Sequence, residues 1–357
     1  MTLEIRLAEN KDYDSIYSLF ADNEFIEPNL DNLQFRERCN WQYVNNPPNI
    51  HYQWIAEGGG DIVAHYAMIP LPFIKNGREA IAGIGSNLVI DENSRDGMLF
   101  LRLQKHFLKK YINFDIDFTY SLVTRPGVLV VHLRTGFKKI GQLPVLIRPL
   151  KITKIFNHFV KISSLRALMH YPLKIAEALL KFSYIRPSSN TLIEKVEHFT
   201  PSIDNFLERF LSQYDYIAKR NSQILNWRFT SYPFRNYEIF QARRSGDIVG
   251  YMVTRKMPMK DFESLAIVDL ACLKGDVDAQ RALLTKAHQL AVHYDVDVCA
   301  SLQNPHLDLV KTMHRCGYLN SPESFTLCTH EVAGSDDLMN ESTFPHWFVS
   351  WFDNDYV

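Results

Sequence analysis

The stretch NWQYVNNPPNIHYQWIAEGGGDIVA, residues 40–64, returns further along the chain as NWRFTSYPFRNYEIFQARRSGDIVG, residues 226–250. At this offset of 186, Asn40, Trp41, Pro47, Ala56, Gly60, Asp61, Ile62 and Val63 meet Asn226, Trp227, Pro233, Ala242, Gly246, Asp247, Ile248 and Val249. Eight identities in 25 ungapped positions exceed the one or two that average composition supplies, so the chain carries a duplication.

Outward from this pair, both copies continue in the same order. Segments 52–57 and 237–242 read as strands, each leaving through a glycine-containing turn into a second strand, 62–69 and 248–255. A further apolar strand follows, 81–90 and 265–273, and a polar loop leads into a helix marked by Leu99, Leu103 and Phe107 in one copy and Leu283, Ala287 and Ala291 in the other. Short strands 118–123 and 296–302 precede Pro126 and Pro305, and a last helix ends at Arg134, Gly136, Phe137 and at Arg315, Gly317, Tyr318. Glycine just past a helix end suits the left-handed conformation that closes it. The pattern predicts a mixed α/β unit built twice. In such a fold the strand–loop–helix in the middle is where backbone N–H groups at a helix start can meet an anion.

Length and composition set the outer bounds. With 357 residues, 46% hydrophobic and 22% charged, there is material for two cores. Lysine plus arginine (39) nearly balance aspartate plus glutamate (40), so no global field attracts nucleic acid, and no nucleic-acid partner is expected. Cys39, Cys272, Cys299, Cys316 and Cys328 are odd in number and widely spaced, which speaks against a disulfide framework or a zinc site and for a reducing compartment. No metal ligands are assigned. The N-terminus, MTLEIRLAENKDYDSIYSLF, alternates and is acidic where a signal peptide is basic and then apolar. No stretch approaches the ~20 apolar residues of a spanning helix. The expected location is the cytoplasm.

Four segments are expected: a first domain over 1–150, a basic helical linker over 151–198, a second domain over 199–332, and an aromatic tail over 333–357 that docks on a domain. Between Lys151 and Arg186 the linker has seven basic residues against Glu177 alone, interleaved with apolar ones. This reads as one or two amphipathic helices interrupted by Pro172. It either packs its apolar stripe on the domains or makes a peripheral contact with an anionic membrane surface or other anionic partner through 151–186. The tail brings Phe344, Trp347, Phe348, Trp351 and Phe352 within nine residues, too many large aromatics to remain in water.

The element order, together with the Trp…Pro, Gly-Asp-Ile-Val and Gly-Phe/Tyr landmarks, resembles the GNAT acetyltransferase superfamily. The tandem arrangement over about 1–150 and 199–330 is similar to that of bacterial acyltransferase-like proteins of surface polysaccharide synthesis. The resemblance implies two GNAT-like domains, each a mostly antiparallel twisted sheet with splayed central strands flanked by helices. It further implies acetyl-CoA or another acyl-CoA as co-substrate, with Leu88, Val89 and Ile90 as the strand edge facing pantetheine and Arg95, Asp96, Gly97, Met98 and Leu99 as the phosphate loop. The related proteins carry Arg-Gly-x-Gly-Leu-Phe in this loop. Here it reads Arg95-Asp96-Gly97-Met98-Leu99-Phe100, and Asp96 brings a negative charge toward a diphosphate. The second copy, 274–281, has two acids and no glycine pair.

Acyl transfer to an amine needs a neutral amine, donors for the oxyanion and an acid for the departing thiolate. The superfamily's acid is a tyrosine four residues before the Gly-Phe glycine. In this sequence that position is His132 in the first copy and Met313 in the second. An imidazole with a pKa near ~6.5 can protonate a thiolate whose conjugate pKa is ~8.5, so His132 is a candidate acid, or else a packed helix histidine. Asp269, inside the apolar run 266–271, is a candidate base whose pKa burial would raise, or else the partner of an arginine. Tyr120 and Ser121 on the fifth strand are within reach of a substrate, or pack. Trp41 and Trp227 are equivalent core anchors, or rings for stacking on a sugar.

These readings converge on an acyl-CoA-dependent N-acyltransferase, an N-acetyltransferase in its simplest form, acting on an amino-sugar or other small amine. The competing reading is a catalytically inactive tandem GNAT scaffold that binds a glycan precursor or a protein partner.

Overall fold

The computed structural model describes residues 3–25, 30–95, 98–182, 190–331 and 339–354. The first copy runs β1 (Leu3–Leu7), α1 (Tyr13–Asp22), α2 (Asn32–Cys39), β2 (Gln53–Gly58), β3 (Asp61–Lys75), β4 (Arg78–Ile90), α3 (Met98–Lys110), β5 (Phe118–Val123), α4 (Pro126–Arg134) and β6 (Lys138–Pro149). Two connecting helices follow, α5 (Ile152–Phe159) and α6 (Ser163–Phe182). The second copy repeats the series as β7 (Leu192–Val196), α7 (Asp204–Leu211), β8 (Tyr216–Ala218), α8 (Ser222–Leu225), β9 (Glu238–Arg244), β10 (Asp247–Met259), β11 (Phe262–Cys272), α9 (Val277–His293), β12 (Val298–Leu302), α10 (Asp308–Arg315) and β13 (Leu319–Glu331). A short β14 (Trp347–Phe348) ends the sheet.

All these strands join one 14-stranded mixed sheet, in the order β1-β2-β3-β4-β5-β13-β6-β12-β11-β10-β9-β7, with β8 beside β3 and β14 beside β8. The two copies fuse by exchanging their last strands. β13 pairs with β5 of the first copy, and β6 pairs with β12 of the second. At the centre β6 and β13 run antiparallel, with Leu143 facing Phe325 and Pro144 facing Ser324. The helix-ending glycines Gly136 and Gly317, both at positive φ (97° and 82°), are 181 apart, so the pseudo-twofold axis passes between those two facing pairs.

Within each copy the pairing is antiparallel except where the central strand meets the short one after the helix, β4 with β5 and β11 with β12. Strands covered on both faces lose alternation and read as continuous apolar runs. In β11, Leu265, Ala266, Ile267, Val268, Leu270 and Ala271 are all fully buried, and Asp269 is the polar exception. One apolar core spans both copies and takes in the tail residues Phe344, Trp347, Phe348, Trp351 and Phe352. A second, smaller core lies between β2–β4 and helix α3, built from Tyr52, Trp54, Tyr66, Met68, Leu99, Leu103 and Phe107 among others.

The tail is held by more than apolar contact. Trp347 stacks on Tyr216 at 5.0 Å and 9°, and the Asn304 amide donates to the carbonyls of Phe344 and Trp347 at 2.7 and 2.8 Å. The linker departs from expectation at Pro172, which lies inside α6 rather than breaking it. The helices part earlier, around 160–162. Pro172 is tolerated on the outer face, where Leu168, whose carbonyl the ring leaves without its helical N–H, is 71% exposed.

Candidate functional site

The parallel pairing of β4 and β5 covers only Ala82–Phe118, Gly83–Thr119 and Ile84–Tyr120. Beyond it β4 continues to Ile90 and β5 to Val123 with no further pairing to each other, so the strands diverge and leave a wedge in the sheet. A bulge drives the divergence. The register of β3 with β4 shifts between His65 and Ala67, and Asn87 sits in the left-handed region at φ 51°, a conformation asparagine tolerates better than most residues. The bulge is fixed by a buried polar chain. The Asn87 carbonyl accepts from His65 Nδ1 at 2.7 Å, and its side-chain amide donates to the Tyr43 hydroxyl. With its proton on Nδ1, the His65 ring presents Nε2 as acceptor to the Gln53 amide at 2.9 Å. Burial lowers the His65 pKa to about 4, so this ring is neutral at pH 7.

On the α3 side of the wedge four polar side chains gather. His132, 2% exposed on α4, bonds through Nδ1 to the Val128 carbonyl at 3.0 Å and through Nε2 to Ser121 Oγ at 3.3 Å. A carbonyl can only accept, so Nδ1 carries the proton and the Ser121 hydroxyl donates to Nε2. Desolvation brings the His132 pKa down to about 4. The ring is therefore a neutral acceptor at pH 7, without the imidazolium proton that an acid for a thiolate would give up.

Next to Ser121 is Tyr66 of β3. Its hydroxyl is buried and, like both amide atoms of the fully buried Gln104 on α3, makes no hydrogen bond of good geometry among the described residues, although Gln104 and Ser121 are its polar neighbours and act on the phenol against the effect of burial. Burial pushes the Tyr66 phenol well above its ordinary range, so it keeps its proton. Gly85 is what admits these groups. A Cβ there would stand 2.7 Å from Ser121 Oγ and 2.8 Å from the Tyr66 hydroxyl. A buried hydroxyl whose hydrogen bonds are poorly made costs free energy, and it keeps donor capacity for a bound group. Sequence reasoning missed Tyr66 and Gln104. The signal was available in Gly83 and Gly85, two apart on β4, which lie against Met68 and Tyr66, two apart on β3.

On the opposite face, a narrow crevice with room for about one water adjoins the start of the wedge. Ile69, Leu71 and Ile84 form its apolar floor, and Trp41, Gln42, Trp227, Tyr232, Arg228 and Asn354 contribute the rest. Gln42 and Tyr43 both reach Ser86, the residue after Gly85 on the diverging edge. The crevice thus draws on both copies and on the tail.

The residues anticipated for the acyl donor fall around the wedge. Leu88 and Val89 are buried, Ile90 is half-buried, and the exposed Arg95 donates to the Ile90 carbonyl at 3.0 Å and to Asn23 Oδ1 at 2.6 Å. Met98, 57% exposed, opens helix α3, and Leu99 is buried. Asp96 and Gly97 lie outside the described residues. In the second copy the corresponding helix start is filled from within. Asp276 caps α9 by accepting from Ala279 N at 3.1 Å and is paired with Arg244 at 2.8 Å, which places a carboxylate where an anion would need N–H groups.

Asp269 is not at either wedge as a free carboxylate. Its oxygens take Arg220 Nε at 2.9 Å, Arg220 Nη2 at 3.3 Å, the Tyr251 hydroxyl at 2.5 Å and Ser350 Oγ at 2.7 Å. The pair is fully buried, and Asp353 of the tail lies 3.7 Å from the same guanidinium. With its acceptor sites engaged, Asp269 secures the tail, and no oxygen is left over to take a proton from an amine.

No family model matches the chain, and no curated protein matches it. Solved structures do match over nearly its full length. A GCN5-related N-acetyltransferase from Anabaena variabilis superposes with a TM-score of 0.62 at 12% identity, covering 92% of this chain and 73% of that one. Saccharomyces cerevisiae N-myristoyltransferase with bound myristoyl-CoA gives 0.61 at 14% identity, covering 92% and 82%. A conserved Enterococcus faecalis protein described as a probable N-acyltransferase gives 0.59 at 9% identity, covering 96% and 74%. The fold is that of the double GNAT proteins.

Proposed function

We propose that the chain is an acyl-CoA-dependent N-acyltransferase whose one working site is the β4–β5 wedge of the first copy. It takes acetyl-CoA as donor and an amino-sugar or similar small amine as acceptor. The observation that carries this is the Tyr66 hydroxyl, a protonated phenol buried with Ser121 and Gln104 where the two strands part and making no hydrogen bond of good geometry there. The acyl carrier would lie along Leu88–Ile90, with its diphosphate toward the start of α3 and Arg95. The amine nitrogen attacks the thioester carbonyl carbon and the C–S bond breaks. The sulfur leaves hydrogen-bonded by the Tyr66 hydroxyl, which hands it a proton, and the proton shed by the nitrogen as the amide forms returns through water to the Tyr66 oxygen, so that CoA departs as the thiol. Ser121 and the neutral His132 orient the groups under the sulfur, and His132 does not supply the proton as an imidazolium. A cytoplasmic setting is part of the proposal and is supported by five cysteines that are all free and buried.

Calorimetric titration of the full chain with acetyl-CoA tests the donor assignment. Saturable heat at a stoichiometry of one per chain is expected, since the second copy's helix start is occupied by Asp276. Absence of heat at millimolar donor would leave the inactive-scaffold reading.

A further inference from the structure

Helix α6 shows water its apolar side. Leu168, Tyr171, Ile175 and Leu179 are 71%, 77%, 64% and 67% exposed, and their spacing of three, four and four puts them on one face over about 16 Å of helix. Phe159, the last residue of α5, and Ile162, in the turn that follows, extend the same exposure at 65% and 62%. Isolated exposed leucines are ordinary on a protein surface, but six large apolar residues in register are a contact surface.

The charge beside this face is net basic, with Lys174 sharing an ion pair with Glu177. Lys161 and Lys174 are exposed, whereas the acid of the segment, Glu177, is turned inward. It is 5% exposed, accepts from Thr153 N at 2.6 Å and pairs with Lys174 at 2.8 Å. The inner face of α6 is made by Met169, Leu173, Ala176 and Leu180, all partly covered. The helix therefore packs on α5 through one stripe and carries a second apolar stripe outward. No helix among the described residues is long and apolar enough to cross a membrane.

We infer that α6 lies in the interface of an anionic lipid bilayer, with Leu168, Tyr171, Ile175 and Leu179 among the acyl chains and Lys161 and Lys174 at the headgroups. Charge decides between occupants. A second copy of the chain would bring lysines face to face with lysines, whereas a negatively charged lipid surface complements both the apolar stripe and its basic flank. The inference does not depend on the acyl-transfer proposal and is read out without it.

Flotation of the full chain with vesicles tests it, using phosphatidylcholine alone and phosphatidylcholine mixed with phosphatidylglycerol. The chain is expected to float with the mixed vesicles and at least tenfold less with the neutral ones. Leu168→Gln, Ile175→Gln and Leu179→Gln together should cut flotation at least tenfold while leaving the thermal midpoint unchanged, because these side chains touch little of the protein. Lys161→Glu should weaken binding and its salt dependence together. Three results would overturn the inference: no flotation with anionic vesicles, flotation indifferent to the triple glutamine variant, or a wild-type dimer in sedimentation equilibrium that this variant dissociates. The last would assign the face to a second copy.

Discussion

Trp41 and Trp227, equivalent positions of the two copies, stack on one another with ring centroids 4.8 Å apart at 17°. Each also donates its indole N–H to the other's backbone carbonyl, at 2.8 and 3.3 Å. Both stand in a single π-helical turn, Asn40–Val44 and Asn226–Thr230, in which the carbonyl of the leading asparagine takes the N–H five residues on. The repeat that exposed the duplication in the sequence is thus also the point where the two copies touch, on their pseudo-twofold axis. Replacing Trp41 by Phe and Trp227 by Phe, singly and together, should destabilise in each case, with the double variant losing about 1 kcal/mol less than the sum of the singles. Urea unfolding of the four proteins measures this coupling, and strict additivity would contradict a direct contact.

Tyr66→Phe separates catalysis from structure. The hydroxyl makes no hydrogen bond of good geometry among the described residues, so a purely structural tyrosine would tolerate its removal, and stability should change by no more than about 1 kcal/mol. If the hydroxyl protonates the departing sulfur, kcat falls by ~10² while acetyl-CoA affinity stays within a factor of two. Steady-state kinetics with calorimetry on the same variant reads both. Gly85→Ala should do more damage, since its Cβ would press on Ser121 and Tyr66 at 2.7 and 2.8 Å.

The duplication, the succession of elements along the chain and the strand–loop–helix unit were legible because they rest on local pattern: alternating or continuous apolar runs, turn glycines, and glycine after a helix. The exchange of β6 and β13 was not. Each strand satisfies the same inward pattern whichever copy it pairs with, so periodicity cannot tell partners apart. Asp269 stood out correctly as a buried acid, but its partner Arg220 is 49 residues away, a separation that composition and spacing leave open. His132 was found by counting back from Gly136, yet the burial that makes it neutral depends on Phe100 and Phe137, which pack against its ring. Tyr66 escaped because a strand tyrosine reads as packing until the opposing glycine is put in register with it.

The Arg220–Asp269 pair makes a second stability test. Its guanidinium lies over the rings of Phe348 and Phe352 at 4.9 and 4.2 Å and also faces Asp353. Asp269→Asn or Arg220→Met alone leaves a buried charge without its partner and should cost about 3–5 kcal/mol. The double variant should recover part of that loss. Loosened tail docking should appear as faster proteolysis near the C-terminus in the single variants and less so in the double.

The two neutral histidines set a pH dependence. His65 and His132 hold folded-state pKa values of about 4 because burial opposes their charged form. In the unfolded chain both take a proton near ~6.5. Between these values the unfolded state binds more protons than the folded one, so stability rises with pH across this window and is lost as pH falls through it. Above ~6.5 neither ring contributes a slope. The gap corresponds to about 3 kcal/mol for each ring once the pH is below both values. Urea midpoints measured between pH 7 and pH 5, where unpaired carboxylates still contribute little, should therefore drop in the wild-type chain. His132→Gln should flatten the drop by the share of one ring, while His65 continues to supply its own, with further parts from His330 and His106, whose pKa values burial also lowers. A variant whose midpoint follows the wild-type curve across this range would show that the His132 ring takes up its proton in the folded protein as readily as in the unfolded chain, and would restore it as a source of the proton for the leaving sulfur.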